Sequence, residues 1–486
     1  MSQQDKTKPM NLLILFSDEH NHEVTGCYGN PYIKTPNLDR LAAQGTLFRN
    51  AYSNCPICVP ARATLANGDY NFKGSYWDNC HPYCGKEPGW GHRLEENGVR
   101  VTTIGKLHYK GDIPETGFKD QRIPLNVRDG VGDVSHVIRD GTMRRPWLAD
   151  EIRNAGERNT EYLQYDAKVA ELAVKFLEEE SKEIKEPWCL FVGFVLPHYP
   201  LGAPKEYMDL YRPYDKIPLP KGWAKDQRSM HPALEYMRRE FHTHDIDDDS
   251  IRKAVATYYA MITYMDDKVG LVLDALDRAG LRDNTRIIYT NDHGDTMGDH
   301  GLVYKMSMYE GSVGVPLIMA GPDIPAGKVV EDDVSLIDFF PTVLECTGVE
   351  PTPEDKKLPG MSLLEWAKRD IKPLQRPIFS EYHALASEHA SFMIKQGDYK
   401  FIYYVTHQPQ LFNLKDDPDE MCDLAPDPKY AATLSRMEGL LREICDPEKV
   451  NEQARREQNA LLEKHGGKEK VLQYAKLSYS PVPKTF

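Results

Sequence analysis

The chain has 486 residues and a formal net charge of −14, with 41% hydrophobic and 28% charged residues. This composition excludes a chain that is disordered throughout, because 27 Tyr, 15 Phe and 6 Trp supply ample apolar surface for a core. The acidic balance argues against non-specific nucleic-acid binding, which requires a basic face. An anionic small-molecule substrate is still allowed, since a few local cations outweigh distant negative charges.

Signals for membranes and secretion are missing from the sequence pattern. The first ten residues are polar, and no apolar stretch reaches the 18 or so residues that predict a membrane span. A secretory signal would need an apolar segment of about 7–15 residues near the start. We therefore expect a cytoplasmic protein with no membrane contact, and its nine cysteines are expected to be reduced thiols.

Strand-like and helix-like segments alternate along the first three quarters of the chain. Short apolar runs typical of buried parallel strands lie at 11–16, 101–104, 188–194, 285–289 and 316–320. Amphipathic helical spacing is found at 38–44, 159–180 and 250–279. The pattern predicts an α/β catalytic domain over residues 1–370, with a large, mostly parallel sheet flanked by helices.

The pattern changes after about residue 370. Segments 392–394 and 400–404 predict a hairpin around Gly397-Asp398, and 433–444 predicts a helix. We assign 371–445 to a smaller C-terminal α+β subdomain with a short antiparallel sheet. The charged extension 446–486 ends in a tail with prolines and aromatic residues. We interpret this tail as either disordered or an arm that joins subunits of a homo-oligomer.

Pairs of metal-ligand residues follow two of the predicted strands. Asp18-Glu19 comes after the first strand and Asp292-His293 after the strand at 285–289. In open α/β sheets, the ligand crevice lies at the carboxyl ends of the strands. Carboxylate oxygens favour Ca²⁺, Mg²⁺ or Mn²⁺, and one imidazole shifts the preference from Ca²⁺ towards Mn²⁺. Each pair alone is equally consistent with a loop cap.

The most specific motif is Cys58-Val59-Pro60-Ala61-Arg62. It resembles the Cys-x-Pro-x-Arg motif of the sulfatase family, in which a formylglycine-generating enzyme oxidises the cysteine to formylglycine. The resemblance covers nearly the whole chain, and its further matching segments are 35–45, 105–108, 197–198, 281–285, 292–295 and 411–420. It implies an alkaline-phosphatase-like fold and a sulfuric ester hydrolase acting on small or aryl sulfate esters.

The resemblance, combined with the two ligand pairs, implies one divalent metal ion, with Ca²⁺ or Mn²⁺ preferred over Mg²⁺. Its predicted ligands are Asp18, Glu19, Cys58, Asp292 and His293. Two of them depart from the common sulfatase pattern, since Glu19 stands where a second aspartate is usual and His293 where an asparagine is usual. The Asp-His-Gly form resembles the choline-sulfatase and phosphonate monoester hydrolase branch.

The resemblance also implies roles for the residues around Cys58. One hydroxyl of the hydrated formylglycine attacks sulfur, and deprotonation of the other hydroxyl later expels sulfate. Arg62 would hold these hydroxyls, and His108 would be the base for the second step. Lys305 with His198 would assist the departing oxygen of the alcohol.

Lys106 and His108 bear on the choice of substrate. Phosphonate hydrolases of the same branch usually lack this Lys/His pair, so the pair favours sulfate esters. Asn79 resembles a substrate-binding asparagine of the choline-sulfatase branch. The following Cys80–Cys84 tract has too few ligands for a closed zinc site and is interpreted as a loop of the pocket wall.

Three hypotheses about function follow. The first is a sulfatase, and the second is a phosphonate monoester or phosphodiester hydrolase that uses the same site. The third is a degenerate relative retained as a binding or assembly protein. The intact motif at Cys58–Arg62 and both acidic pairs weaken this third hypothesis.

Overall fold

A computed structural model of the protein describes residues 10–111, 116–371, 375–474 and 479–484. Its strands are β1 Asn11–Asp18, β2 Gly45–Tyr52, β3 Arg100–Lys106, β4 Asp120–Leu125, β5 Gly156–Glu157, β6 Trp188–Pro197, β7 Gly202–Ala203, β8 Thr285–Asn291, β9 Leu317–Ala320, β10 Lys328–Ser335, β11 Ile378–Tyr382, β12 Ser391–Gln396, β13 Tyr399–Tyr404 and β14 Gln410–Asn413. Its α-helices are α1 Pro36–Ala43, α2 Cys58–Asn67, α3 Asn71–Gly74, α4 Trp90–Glu96, α5 Pro146–Arg153, α6 Glu161–Glu178, α7 Lys205–Met208, α8 Pro232–Phe241, α9 Asp248–Arg278, α10 Glu310–Val313, α11 Phe339–Thr347, α12 Leu364–Lys368, α13 Ala431–Ile444, α14 Pro447–Lys464 and α15 Gly467–Tyr474.

Eight strands form the large sheet, in the order β10-β2-β9-β8-β1-β6-β3-β4. Only β9 runs against its neighbours β2 and β8, and the other pairs are parallel. The predicted α/β fold with a mostly parallel sheet is confirmed. All five apolar runs identified in the sequence correspond to strands of this sheet, and β2, β4 and β10 complete it.

Alternating side chains of the central strand β1 enter two separate cores. Leu13 and Leu15 pack in the cluster that contains the apolar faces of α6 and α9. Leu12, Ile14 and Phe16 pack in the cluster on the opposite face, with side chains of α4 and α11. Because both faces are covered, residues 12–16 of the strand are all apolar, as the sequence pattern requires for the middle of a parallel sheet.

A second sheet, in the order β11-β12-β13-β14, is antiparallel throughout. It packs against α13 and α14 in a cluster that includes Phe392, Phe401, Met437 and Ala454. The charged segment that follows α13 forms the helices α14 and α15. The domain boundaries at 370 and 445 and the role of residues 446–486 as an oligomerisation arm stay predictions. Within the described parts of the chain, no helix is both long and apolar enough to cross a membrane.

Candidate active site

Four neighbouring parallel strands deliver polar side chains to one edge of the large sheet. Strand β1 ends at Asp18 and β3 ends at Lys106, while Asp292 follows β8 and His198 follows β6. These strands lie side by side in the order β8-β1-β6-β3, so their carboxyl ends meet. The crevice expected from the sequence is therefore built by the sheet itself.

Helix α2 brings the cysteine motif to the same edge. Cys58 is the first residue of this helix, and every side chain of the helix is buried. Asn79 accepts a hydrogen bond from the backbone N–H of Val59 at 3.2 Å, which satisfies one of the free amides at the start of the helix. Arg62 lies one turn further along and therefore faces the same side as Cys58.

Arg62 joins the two aspartates of the predicted metal site. Its Nε donates to Oδ2 of Asp292 at 2.7 Å, and one terminal nitrogen donates to Oδ2 of Asp18 at 2.8 Å. Its other terminal nitrogen donates to the carbonyl of Lys106 at 2.9 Å. All three charged side chains are almost fully buried, so this arrangement fixes both carboxylates in position.

Asp18, Cys58, Asp292 and His293 form a compact group whose potential ligand atoms all lie within 4.8 Å of one another. The Nε2 atom of His293 is 3.2 Å from Sγ of Cys58, and its Nδ1 is 2.9 Å from the carbonyl oxygen of Gly294. Since a carbonyl only accepts, Nδ1 carries the proton and Nε2 presents a lone pair to the group. Two carboxylates and a neutral imidazole nitrogen fit a divalent cation.

Glu19 lies beside this group but turns its carboxylate elsewhere. Oε2 of Glu19 accepts from Nζ of Lys305 at 2.6 Å and lies 3.4 Å from Nε2 of His198. Oε1 is buried, and Glu19 also interacts with the side chain of Asp295. With Asp18 and His198, Glu19 makes a second group of potential ligands. Its role as a metal ligand stays a prediction.

The electrostatics keep the buried groups in definite protonation states. Burial opposes ionisation of Asp18, but the charges of Lys106 and Arg62 hold its pKa well below the usual value. Burial, and then the Asp18 charge, raise the pKa of the Cys58 thiol to about 12. Burial and nearby lysine charges lower the pKa of His198 well below its usual value. The encoded thiol is therefore protonated and a poor nucleophile at neutral pH.

The predicted substrate-contacting residues line one cavity of about 440 Å³. They are Asn79, Lys106, His108, His198 and Lys305. Both lysines are at most 2% exposed, and Nζ of Lys106 lies 2.8 Å from Oδ2 of Asp18. The structure thus brings together two buried ammonium groups and two imidazoles next to Cys58.

The C-terminal tail supplies contacts that the sequence did not predict. Ser480 Oγ lies 2.7 Å from Nε2 of His108, 372 residues away in the chain, and the hydroxyl of Tyr162 donates to the Ser480 carbonyl at 2.5 Å. The ring of Tyr479 packs edge-on against Tyr162, with 5.5 Å between centroids. Residues 479–481 therefore form part of the cavity wall.

The Cys80–Cys84 tract does not form a metal site in the described part of the chain. The Sγ atom of Cys80 contacts the carbonyl of Asp133, and Nδ1 of His81 lies 2.9 Å from Oδ1 of Asp78. None of these cysteines belongs to a group of potential metal ligands. The neighbouring Asn79 reaches the cavity, whereas residues 80–84 are not among the described lining residues.

Comparisons with known proteins agree with this geometry. Residues 10–349 match a family described as Sulfatase, and residues 298–446 match one described as N-sulphoglucosamine sulphohydrolase, C-terminal. The chain is 30% identical to choline-sulfatase of Rhizobium meliloti (strain 1021), over 86% of this chain and 83% of that protein. It is 32% identical to arylsulfatase K of Bos taurus, over 91% of this chain and 82% of that protein.

Solved structures share the fold. A protein solved in complex with its substrate D-glucosamine-2-N,6-O-disulfate superposes with a TM-score of 0.74 at 22% identity, over 92% of this chain and 99% of that one. The phosphonate monoester hydrolase of Agrobacterium radiobacter superposes with a TM-score of 0.73 at 23% identity, over 90% of this chain and 95% of that one.

Proposed function

The chain belongs to the sulfatase family and is a sulfuric ester hydrolase, and on that premise we propose that it cleaves small or aryl sulfate esters at a formylglycine formed from Cys58. The observation that carries the proposal is the position of Cys58. It lies at the start of a buried helix, within 4.8 Å of the potential ligand atoms of Asp18, Asp292 and His293, and beside a cavity with two buried lysines. A hydrated formylglycine supplies an oxygen nucleophile and a second hydroxyl through which sulfate is released.

Asp18, Asp292, His293 and residue 58 would hold one divalent cation, Ca²⁺ or Mn²⁺ in preference to Mg²⁺. Glu19 is a further candidate ligand, since it forms a second group of potential ligand atoms with Asp18 and His198. The bound cation would stabilise negative charge on oxygen atoms and lower the pKa of the nucleophile. Arg62 keeps both aspartates oriented, and by the family resemblance it would hold the hydroxyls of residue 58.

The remaining residues of the site stabilise negative charge or accept a proton. Lys106 places a positive charge where the sulfate oxygens would lie, and Lys305 places one where the leaving oxygen would lie. His108 is a neutral imidazole because burial and the Lys106 charge lower its pKa well below the usual value. Its Nδ1 is buried and has no partner among the described residues, so it can accept the proton whose removal releases sulfate.

Hydrolysis of phosphonate monoesters is the second candidate function. His293, which gives the Asp-His-Gly form shared with choline-sulfatases, is compatible with this function, and the Lys106/His108 pair opposes it. We expect a higher kcat/KM for an aryl sulfate than for the matching aryl phosphonate, measured on the same metal-loaded, modified enzyme. The reverse order would assign the site to phosphonates. If the enzyme hydrolysed neither ester, the proposal would be contradicted.

Lys305 is expected to act on the leaving oxygen with His198. Lys305→Ala should lower kcat by about 10²–10³, by analogy with the loss of one oxyanion donor. The loss should be largest for phenols of high pKa and small for a nitrophenol, because a good leaving group needs little stabilisation of the charge that develops on its oxygen. The measurement is kcat across aryl sulfates with leaving groups of graded pKa.

Lys395→Ala is the matched control for this series. Lys395 is another nearly buried lysine paired with a carboxylate, Asp333, but it does not line the cavity. It should show no dependence on the leaving group. A uniform loss across the series for Lys305→Ala would mean that Lys305 holds the sulfate or only packs.

The cytoplasmic location, the homo-oligomer and maturation by a formylglycine-generating enzyme stay predictions.

A further inference from the structure

The cavity is lined by cationic side chains in addition to Lys106 and Lys305, which pair with Asp18 and Glu19. Besides Lys106 and Lys305, three arginines are among its described lining residues: Arg128, Arg144 and Arg145. Asp133 is the single acidic side chain in that lining, and its Oδ1 already accepts from a backbone N–H. The buried lysines lie at the inner end next to Cys58, whereas the more exposed side chains lie at the mouth.

Two of the three arginines are compensated. Arg145 is buried and forms an ion pair with Glu240, and it also donates to the carbonyl of Ser135 at 3.1 Å. Arg128 lies 3.3 Å from the carboxylate of Asp129 on the surface, where both side chains are more than half exposed. An exposed pair of this kind contributes little and can be exchanged for a ligand.

Arg144 is not compensated by any carboxylate of the described residues. Arg144 is exposed, and one of its terminal nitrogens donates to the carbonyls of Gly141 at 3.0 Å and Met143 at 2.6 Å, which holds the guanidinium at the cavity mouth. These bonds do not neutralise its charge. Its other N–H donors have no acceptor among the described residues. A planar guanidinium with free donors matches a carboxylate or a sulfate group in geometry and charge.

His136 adds a second unpartnered group to the same wall. Its Nδ1 is buried and has no hydrogen-bond partner in the described structure, although the side chain lines the cavity. The unpartnered atom itself has almost no accessible surface, so His136 contributes the polarity of its ring to the wall rather than a hydrogen bond from Nδ1. Arg144 and His136 therefore form a polar wall that is separate from the groups around Cys58.

We propose that the alcohol half of the substrate is itself anionic and carries a carboxylate or a second sulfate that Arg144 binds. This proposal rests on the proposed sulfatase function. A volume of about 440 Å³ accommodates an alcohol of roughly monosaccharide size together with the sulfate. The same wall disfavours a quaternary ammonium alcohol such as choline, because like charges would face each other.

The aromatic side chains of the cavity do not offset this charge. A quaternary ammonium needs open ring faces, and Nζ of Lys305 already lies 5.2 Å from the centroid of the Tyr199 ring. Trp147 is 44% exposed at the mouth and therefore gives an ammonium group little shelter from water.

The test compares esters that differ only in the charge of one substituent. The probes are meta-carboxyphenyl, meta-carbamoylphenyl and meta-trimethylammoniophenyl sulfate, and the disulfate of resorcinol. We expect the enzyme to prefer the carboxylate or the disulfate over the neutral amide by about 10-fold or more in kcat/KM, the value of one charge-assisted hydrogen bond. The cationic ester should be the poorest substrate. The anionic ester with the larger preference identifies which group the cavity takes.

Arg144→Gln should bring the ratio of anionic to neutral kcat/KM close to one, and Arg153→Gln should leave that ratio unchanged. Arg153→Gln is a matched control because the substitution also removes a positive charge, and Arg153 lies on α5 outside the cavity lining. A ratio near one in the unaltered enzyme, or a preference that survives Arg144→Gln, overturns this inference. In either case, hydrolysis of the neutral ester would leave the sulfatase proposal intact. Failure to hydrolyse any of the four esters overturns both.

Discussion

Cys58→Ala is expected to lower kcat/KM for an aryl sulfate by about 10⁴-fold or more, because it removes the precursor of the nucleophile. Cys55→Ala is the matched control, since Cys55 is an equally buried cysteine three residues earlier that does not belong to the ligand group. It should keep activity close to that of the unaltered enzyme. Full activity in Cys58→Ala would show that another residue is the nucleophile.

The modification itself can be read from a single peptide. Cleavage after Arg49 and Arg62 releases residues 50–62, which contain both Cys55 and Cys58. In active enzyme from a host with the converting activity, residue 58 should be lighter than encoded and should react with carbonyl reagents, whereas Cys55 should still be alkylated as a thiol. An intact thiol at position 58 in fully active enzyme would contradict the formylglycine mechanism.

Asp292→Asn is expected to remove the metal and the activity together. The change keeps the shape of the side chain but deletes a charge that faces both the ligand group and Arg62. We expect bound metal to fall well below one ion per chain and kcat/KM to fall by about 10³-fold or more, as for the loss of a major source of transition-state charge stabilisation. Metal content by elemental analysis and turnover of an aryl sulfate are the two measurements.

Asp299→Asn controls for the loss of a buried carboxylate as such. Burial raises the pKa of Asp299 to about 7, as it does for Asp292, but Asp299 accepts from the backbone of Lys221 and lies outside the ligand group. This variant should keep metal and activity. If Asp292→Asn kept both as well, the metal site would have been assigned to the wrong residues.

The sequence alone determined the central part of the sheet. Strands β1, β6 and β8 are buried on both faces, so each contains a run of apolar residues by which it can be recognised. The ligand pairs directly follow two of these strands, and parallel strands bring their carboxyl ends together, so the location of the site could also be predicted. Cys58 and Arg62 share a face of helix α2, but the sequence linked them through the family resemblance and did not predict this helix.

The edge strands were decided by tertiary structure. β4 and β10 each pair on one side only, and both are partly exposed, so they contain charged residues and lack an apolar run. Their segments adopt strand structure because β3 and β2 offer unpaired backbone groups along the sheet edge. The sequence of either segment, taken by itself, does not contain that information.

Tertiary structure likewise decided the partners of individual side chains at the site. Glu19 follows Asp18 directly, yet its carboxylate pairs with Lys305, and the tail residue Ser480 reaches His108. Arg144 lines the cavity without a carboxylate partner in the described structure, although the chain as a whole is acidic. Such pairings depend on how segments hundreds of residues apart pack together, and local patterns of hydrophobicity and spacing do not encode the distances between them.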